Sequence, residues 1–344
     1  MWEFKGPVRP RETLCRPRVN KEPPITDLRF VAPGDFPPQI QASPHLAGLR
    51  DKGEVVIHTD RPASDEDKLA RVAEADVILN TRSSVRWSET DLASLPRLRM
   101  ITTCSIGTDA IDLAAASRLG IIVSNQPGRT APVVAEHAVA LMMATARRTS
   151  FYTAELKAGR WVNVDGVYLH GKTLGIVGTG NIGKLTAEMG RALGMRVVAW
   201  TFRPDAEWAA KHGVQYVDYE QLLRTSDVVS LHLKLTREST GMLGREQIAA
   251  MKPGALVVNV GRGALLDSAA LVDALNDGRL GGAGLDVFDA EPLPPDAPIL
   301  RCDNVVLTPH VADVTPEGME MLNQGAVENV LAYLSGNPIN LVTN

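Results

Sequence analysis

The sequence predicts an α/β protein made of two doubly wound parallel sheets. Three observations carry that expectation. Short apolar runs alternate with helical patterns along almost the whole chain, which implies parallel strands with helices on both faces. A glycine-rich turn, Gly178 to Gly183, sits between one such run and one such helix. At 344 residues the chain is long enough for about two domains.

The glycine turn is the best-defined element. Thr173–Val177 is a short apolar run. Gly178, Gly180 and Gly183 follow in GxGxxG spacing, and Ile182, Leu185, Met189 and Leu193 recur at helical intervals. Gly194 is placed to end the helix, and Arg196–Trp200 is a second apolar run. This strand, turn, helix and strand context separates a dinucleotide site from a chance glycine triplet. Gly178 permits the sharp turn, Gly180 lets a pyrophosphate approach the backbone, and Gly183 lets the helix pack on the strand. The helix start then favours the phosphates. The plainer reading is a glycine turn between buried elements.

An NAD site usually carries Asp or Glu about 20 residues after the glycines, on the ribose 2′-hydroxyl. Here Thr201 takes that place and Arg203 follows. Without the carboxylate a 2′-phosphate is not repelled, and an arginine can pair with it. The expectation is NADP or dual use. The alternative is that Arg203 is a solvated loop residue and NAD still binds.

The totals exclude several function classes. Hydrophobic content of 44% and charged content of 22% are ordinary for a soluble globular protein. Net charge is −4 with no lysine-rich block, so nucleic acid is not the expected partner. No apolar run is long enough to span a bilayer. Cys15, Cys104 and Cys302 are far apart, without CxxC spacing. That argues against disulfides or a zinc site and fits a reducing cytosol. Residues 1–26 are rich in Arg and Pro, lack the apolar core of a signal peptide, and carry glutamates that disfavour an organelle address.

In chain order, apolar runs fall at Leu28–Val31, Val55–His58, Val77–Asn80, Met100–Thr103 and Ile121–Ser124. Helical patterns lie at His45–Lys52, Asp65–Glu74, Ser88–Leu95 and Ile111–Leu119. Ser88 before Glu89 and Asp91 suits a helix start. A long helix runs from about Pro132 towards Arg147. After Trp200, strands are expected at Val228–Leu231, Ala255–Val260, Gly284–Val287 and Val305–Leu307, the succession of a Rossmann sheet. Helices are expected at Tyr219–Arg224, Arg245–Met251 and Ser268–Asn276. Pro316–Leu334 is long and amphipathic and can return to complete the first domain. The first domain is then discontinuous, 27–124 plus 312–344, with the nucleotide domain 125–311 inserted.

Ligands of open α/β sheets bind at the carboxyl ends of strands. Arg262, Glu291 and His310 each follow an expected strand there. Hydride transfer to a carbonyl builds negative charge on oxygen, which must receive a proton. His310 titrates near neutral pH and can deliver it. Glu291 can hold the imidazole and favour its charged form. Arg262 can grip a carboxylate and polarise the neighbouring carbonyl. Taken singly, each also has a purely structural reading; the coincidence of three at three strand ends argues for a shared site. His232 ends a strand near the nucleotide and is a cofactor-lining candidate, whereas His137, on the long helix, reads as structural. His45, His58, His170 and His212 read as surface or loop residues. No pair has metal-site spacing, and the chemistry requires no metal. Amides of the Ser105-Ile106-Gly107 turn can receive a carboxylate, and Arg82 can add a cation.

These motifs resemble the D-isomer-specific 2-hydroxyacid dehydrogenases, the group of phosphoglycerate dehydrogenase and glyoxylate/hydroxypyruvate reductase. The carriers are SIGTDAID at Ser105–Asp112, VAEHAVAL at Val134–Leu141, GIVGTGNIG at Gly175–Gly183, NVGRGALLD at Asn259–Asp267, GLDVFDAEP at Gly284–Pro292 and LTPHVAD at Leu307–Asp313. The resemblance spans roughly Asp27 to the C-terminus. It implies two Rossmann-like or flavodoxin-like domains, an active site in the cleft between them, and homodimers built through the nucleotide domains. It also implies an NAD(P)-dependent exchange of a small 2-oxoacid with its D-2-hydroxyacid. Arg262 matches the substrate-orienting arginine, Glu291 the histidine's partner and His310 the acid/base. Asn181 and Ile182 match residues beside the pyrophosphate; Val260, Gly261 and Asp286 match the nicotinamide half; Ser105–Gly107 matches the carboxylate turn. Departures are Thr201 in place of a frequent Asp, and Ala312-Asp313 in place of two glycines. No regulatory domain follows the last helix, which disfavours the longer phosphoglycerate dehydrogenases. The alternative function is a nucleotide-sensing, corepressor-like interaction module on the same fold.

Overall fold

The computed structural model describes residues 28–342. The N-terminal extension, with Cys15, lies outside the described residues. The chain forms two compact units. One takes the described residues up to Asn125 and those from Ala326 onward, the other takes Gln126–Gly325.

The first unit is a five-stranded parallel sheet of β1 (Leu28–Ala32), β2 (Gly53–Ile57), β3 (Val77–Thr81), β4 (Met100–Cys104) and β5 (Ile122–Ser124). The order β2-β1-β3-β4-β5 is the flavodoxin-like one, reversing between β1 and β3. Alternate residues face opposite sides. Val31, Ile78 and Ile101 pack with Trp87 and Leu92 on one face. Phe30, Leu79 and Met100 pack with Leu46, Ala326 and Val330 on the other. Its helices are α1 (Ala47–Arg50), α2 (Asp65–Val72), α3 (Glu89–Ala93) and α4 (Leu113–Arg118). Local sequence starts each of the last three. Ser64, Ser88 and Asp112 accept the amides of Asp67, Asp91 and Ala115, and Ser88 with Asp91 forms a full capping box. The helix expected over His45–Lys52 is a 3₁₀ turn at Pro44–Leu46 followed by α1.

The second unit contains α5 (Ala131–Ala146), α6 (Thr149–Lys157), β6 (Thr173–Val177), α7 (Asn181–Ala192), β7 (Arg196–Trp200), α8 (Ala206–His212), β8 (Gln215–Tyr216), α9 (Tyr219–Thr225) and β9 (Val228–Leu231). Then come α10 (Arg245–Ala250), β10 (Ala255–Asn259), α11 (Ser268–Asn276), β11 (Leu280–Leu285), β12 (Val305–Leu307) and α12 (Pro316–Leu334). The parallel sheet runs β12-β11-β10-β9-β6-β7-β8. Counted from β6 this is the Rossmann order 3-2-1-4-5-6 with one further strand, and it reverses between β6 and β9. Strands β6 and β10 are buried at every position, as a sheet covered on both faces requires.

Four details differ from the sequence expectation. The long helix ends at Ala146, because Arg148 turns left-handed at φ 51° and α6 starts afresh. Strand β11 is Leu280–Leu285, overlapping the expected Gly284–Val287 only at Gly284 and Leu285. The pair Gly281-Gly282 belongs to the strand, where a Cβ on Gly282 would sit 2.7 Å from the Asn304 carbonyl. The short α8 and β8 carry too few apolar residues to stand out in the sequence. The chain leaves the second unit inside α12, between Gly325 and Ala326, not at 311/312; Ala312 packs into a second-unit core with Val258 and Val260. Among the described residues no helix is long and apolar enough to cross a membrane.

Ser88→Ala removes the hydroxyl that accepts the Asp91 amide at the start of α3 and leaves the residue 88 amide on the Asp91 carboxylate. It should cost about 1 kcal/mol, read as a lowered thermal midpoint with unchanged cofactor binding.

Candidate active site

The turn after β6 has the form a dinucleotide needs. Gly178 adopts φ +99°, where a side chain would be strained. A Cβ on Gly183 would lie 1.9 Å from the Gly178 carbonyl oxygen, so only glycine fits against the strand. A Cβ on Gly180 would meet nothing within 4 Å, so the ground above it is open. Gly180 is also the N-cap of α7 and supplies no side-chain cap. The first amides of α7, from Asn181 and Ile182, are left for an anion. His232 closes the other side of the switch point, its amide on the Val177 carbonyl at 2.8 Å. Its Nε2 meets Ser230 Oγ at 2.8 Å, and its buried Nδ1 has no partner. Burial lowers this imidazole to about 3, so it is neutral at ordinary pH. The residues present fit a pyrophosphate and its nucleoside.

The loop after β7 holds the groups expected to choose the coenzyme. Thr201 is half-buried and Arg203 exposed, with no ion pair or hydrogen bond for Arg203 among the described residues. The loop is pinned behind them. Asp205 caps α8 and takes Lys184 Nζ at 2.6 Å. Tyr216 Oη accepts the Asp205 amide at 3.2 Å and pairs with Thr179 Oγ1 at 2.7 Å.

Arg262, Glu291 and His310 come together beyond β10, β11 and β12. His310 Nδ1 lies 2.7 Å from Glu291 Oε2. Glu291 Oε1 accepts the Phe288 amide at 2.9 Å, which fixes the carboxylate. The hydrogen bond to Glu291 raises His310 above its ordinary 6.5, against burial and the Arg262 charge. Burial pushes Glu291 upward, but His310, the Phe288 amide and Arg262 bring it below its ordinary value. The guanidinium of Arg262 therefore acts on both partners. Its Nη1 donates to the Gly261 carbonyl at 2.8 Å.

Asn259 went unremarked in the sequence. It is fully buried and ties the loop that carries Val260, Gly261 and Arg262. Its Oδ1 accepts the Gly261 amide at 3.0 Å and its Nδ2 donates to the Arg262 carbonyl at 2.9 Å. An Asn closing an apolar strand was the available signal. Asp286 is fully buried. Its oxygens take Thr308 Oγ1 and the amides of Val311 and Ala312, so its carboxylate serves the chain itself. The first unit places Arg82 just past β3 and Ser105–Gly107 just past β4. Arg82 and Ser83 are both left-handed, at φ 49° and 50°. Asn125 Nδ2 holds the Ile106 carbonyl at 2.7 Å, and Ser105 Oγ holds that of Gly107 at 3.0 Å. The amides of Ile106 and Gly107 make no hydrogen bond among the described residues.

Comparison with known proteins fits this geometry. The profile of the D-isomer specific 2-hydroxyacid dehydrogenase NAD binding domain matches residues 139–312. Glyoxylate reductase of Korarchaeum cryptofilum is 38% identical over 290 residues, 82% of this chain and 87% of that protein. The chain belongs to the D-isomer specific 2-hydroxyacid dehydrogenase family. Among solved structures, a protein from Thermus thermophilus superposes with a TM-score of 0.81 at 36% identity, covering 92% of this chain and 100% of that one. D-Lactate dehydrogenase from Aquifex aeolicus, complexed with NAD and lactic acid, gives 0.78 at 29% identity, covering 92% and 99%. The enzyme is a nicotinamide-dependent oxidoreductase acting on CH–OH donors.

The coupled pair sets a pH window. A raised His310 stabilises the fold fully below 6.5, and that contribution is lost as pH rises through its higher folded value. A lowered Glu291 contributes above 4.5, and its share is lost as pH falls through its folded value. Glu291→Gln should bring the His310 imidazole down towards 6.5 in an NMR titration. An unmoved titration would show that Glu291 is not what raises it.

Proposed function

We propose that the enzyme interconverts a small 2-oxoacid and its D-2-hydroxyacid, with His310 as acid/base, Glu291 as its partner and Arg262 orienting the substrate. The observation that carries this reading is the 2.7 Å contact between His310 Nδ1 and Glu291 Oε2. It engages one ring nitrogen and leaves Nε2 to exchange the proton. The bound nicotinamide supplies or takes the hydride. In the reductive direction His310 gives its proton to the carbonyl oxygen as charge develops there. In the oxidative direction the neutral ring accepts the hydroxyl proton. Arg262 holds the carboxylate and polarises the carbonyl beside it. Arg82 and the amides of Ser105, Ile106 and Gly107 receive the substrate's anionic end.

The cofactor lies along Gly178, Gly180, Asn181, Ile182 and Gly183, with His232, Val260, Gly261, Arg262, Asp286 and His310 towards the nicotinamide. Thr201 and Arg203 support NADP or dual use, since no carboxylate repels a 2′-phosphate there. No metal takes part, because hydride transfer needs none. The buried, unpaired Cys104 and Cys302 support a cytoplasmic location. A homodimer through the second unit is supported by its exposed apolar groups. Trp161 is 92% exposed and Tyr168 73%, with Leu156 nearby in sequence, more apolar surface than a monomer usually leaves open.

A panel of glyoxylate, hydroxypyruvate, pyruvate and larger 2-oxoacids with NADH and NADPH tests the function. Turnover should appear with at least one acid, NADPH should serve at least as well as NADH, and His310→Ala should cost about 10²–10⁴ in turnover while cofactor still binds. Tight cofactor binding without turnover of any acid would favour the sensor reading instead. Light scattering should give twice the 37.0 kDa chain mass; a monomer would refute the dimer.

A further inference from the structure

His137 stands on α5, and no step of the proposed reaction uses it. Its ring is nevertheless joined to the residue that carries the reaction. Nε2 lies 3.0 Å from Thr308 Oγ1 and 3.4 Å from Asp286 Oδ1. Thr308 Oγ1 donates to Asp286 Oδ1 at 2.6 Å. A hydroxyl has one proton. With that proton on Asp286, the Thr308 oxygen is an acceptor, and His137 Nε2–H is the donor that suits it.

Asp286 in turn organises His310. Its carboxylate accepts the Val311 amide at 2.9 Å and the Ala312 amide at 3.0 Å. Its main-chain carbonyl accepts the His310 amide at 2.8 Å. One residue thus holds three consecutive amides, and the first of them belongs to a left-handed histidine at φ 54°. A residue in that conformation persists only where its surroundings over-determine it. A fully buried carboxylate is also intolerant of losing a donor. His137 keeps the Thr308 proton on Asp286 and so keeps this clamp complete.

We propose that His137 is a positioning residue. Through Thr308 and Asp286 it fixes the left-handed backbone of His310, and with it the aim of the imidazole. This rests on the reading of His310 as acid/base.

The test compares His137→Phe, which keeps a ring and loses the donor, with His137→Gln, which restores an N–H. His137→Phe should lower kcat on the order of tenfold, the scale of a slightly misplaced catalytic group. KM for the best 2-oxoacid of the panel and the NADH dissociation constant, read by fluorescence, should stay within about twofold, since a kcat-only loss marks a group used in the transition state. His137→Gln should recover most of the rate. Thr308→Val should reproduce the loss, and the double variant should be no slower than either single one. Thr308→Val alone also carries the test should His137→Phe not fold. Wild-type kcat in His137→Phe, a His137→Gln as slow as the Phe variant, or losses that multiply would overturn the proposal. One readout needs no turnover. With Glu291, Arg262 and Asp286 all still facing it, the His310 imidazole should titrate nearer 6.5 in His137→Phe and return in His137→Gln. No movement refutes the clamp, whereas a wild type that binds NADH and reduces nothing refutes the dehydrogenase reading alone.

Discussion

Parallel pairing is the constraint from which the site follows. Every strand pair of both sheets is parallel, so within each sheet all carboxyl ends lie on one edge. Each crossover must bring the chain back to the opposite edge before the next strand starts. Side chains that follow strands are thereby gathered, however far apart they are in sequence. Arg262, Glu291 and His310 are brought together by this means, and so are Gly178 and His232 at the β6/β9 switch point. The same rule puts Arg82 and Ser105–Gly107 on one edge of the first sheet.

Gathering side chains does not aim them, and the aiming is done by hydrogen bonds. Asn259 braces the loop of Arg262. The Phe288 amide braces Glu291. Asp286 braces His310 through backbone alone. Asn259 and Asp286 are fully buried, and their bonds replace the hydration these two side chains lose. A left-handed His310 costs about 1–3 kcal/mol. Three amide hydrogen bonds at about 1 kcal/mol each are enough to offset it.

Much of this was legible in the sequence, and the limits have physical causes. Strands such as Thr173–Val177 and Val228–Leu231 were read at their observed bounds because a strand covered on both faces is a continuous apolar run. The Gly178–Gly183 turn was legible because its glycines answer steric needs that no other residue meets. Strand β11 was misplaced because Gly281 and Gly282 act there through close packing, which sequence spacing does not distinguish from a turn. The break after Ala146 was hidden because it depends on the φ of one arginine. Asn259 was given no role, and His137 was read only as structural, because bracing is a relation between distant residues. A lone Asn at a strand end or a lone His on an apolar helix carries no mark of its partner.

The protonation of His310 also bears on direction. In the proposed reaction, reduction needs the charged ring and oxidation the neutral one, so the group must lose its proton easily enough to serve both. Glu291 raises its value while burial and Arg262 lower it. The net upward shift keeps the ring charged over more of the neutral range than a free imidazole. Arg262 is placed to prevent that bias from becoming absolute. Its charge lowers the His310 value against the Glu291 hydrogen bond. In the proposed reaction one guanidinium therefore couples substrate binding to the readiness of the acid, which a neutral donor at that place would not do.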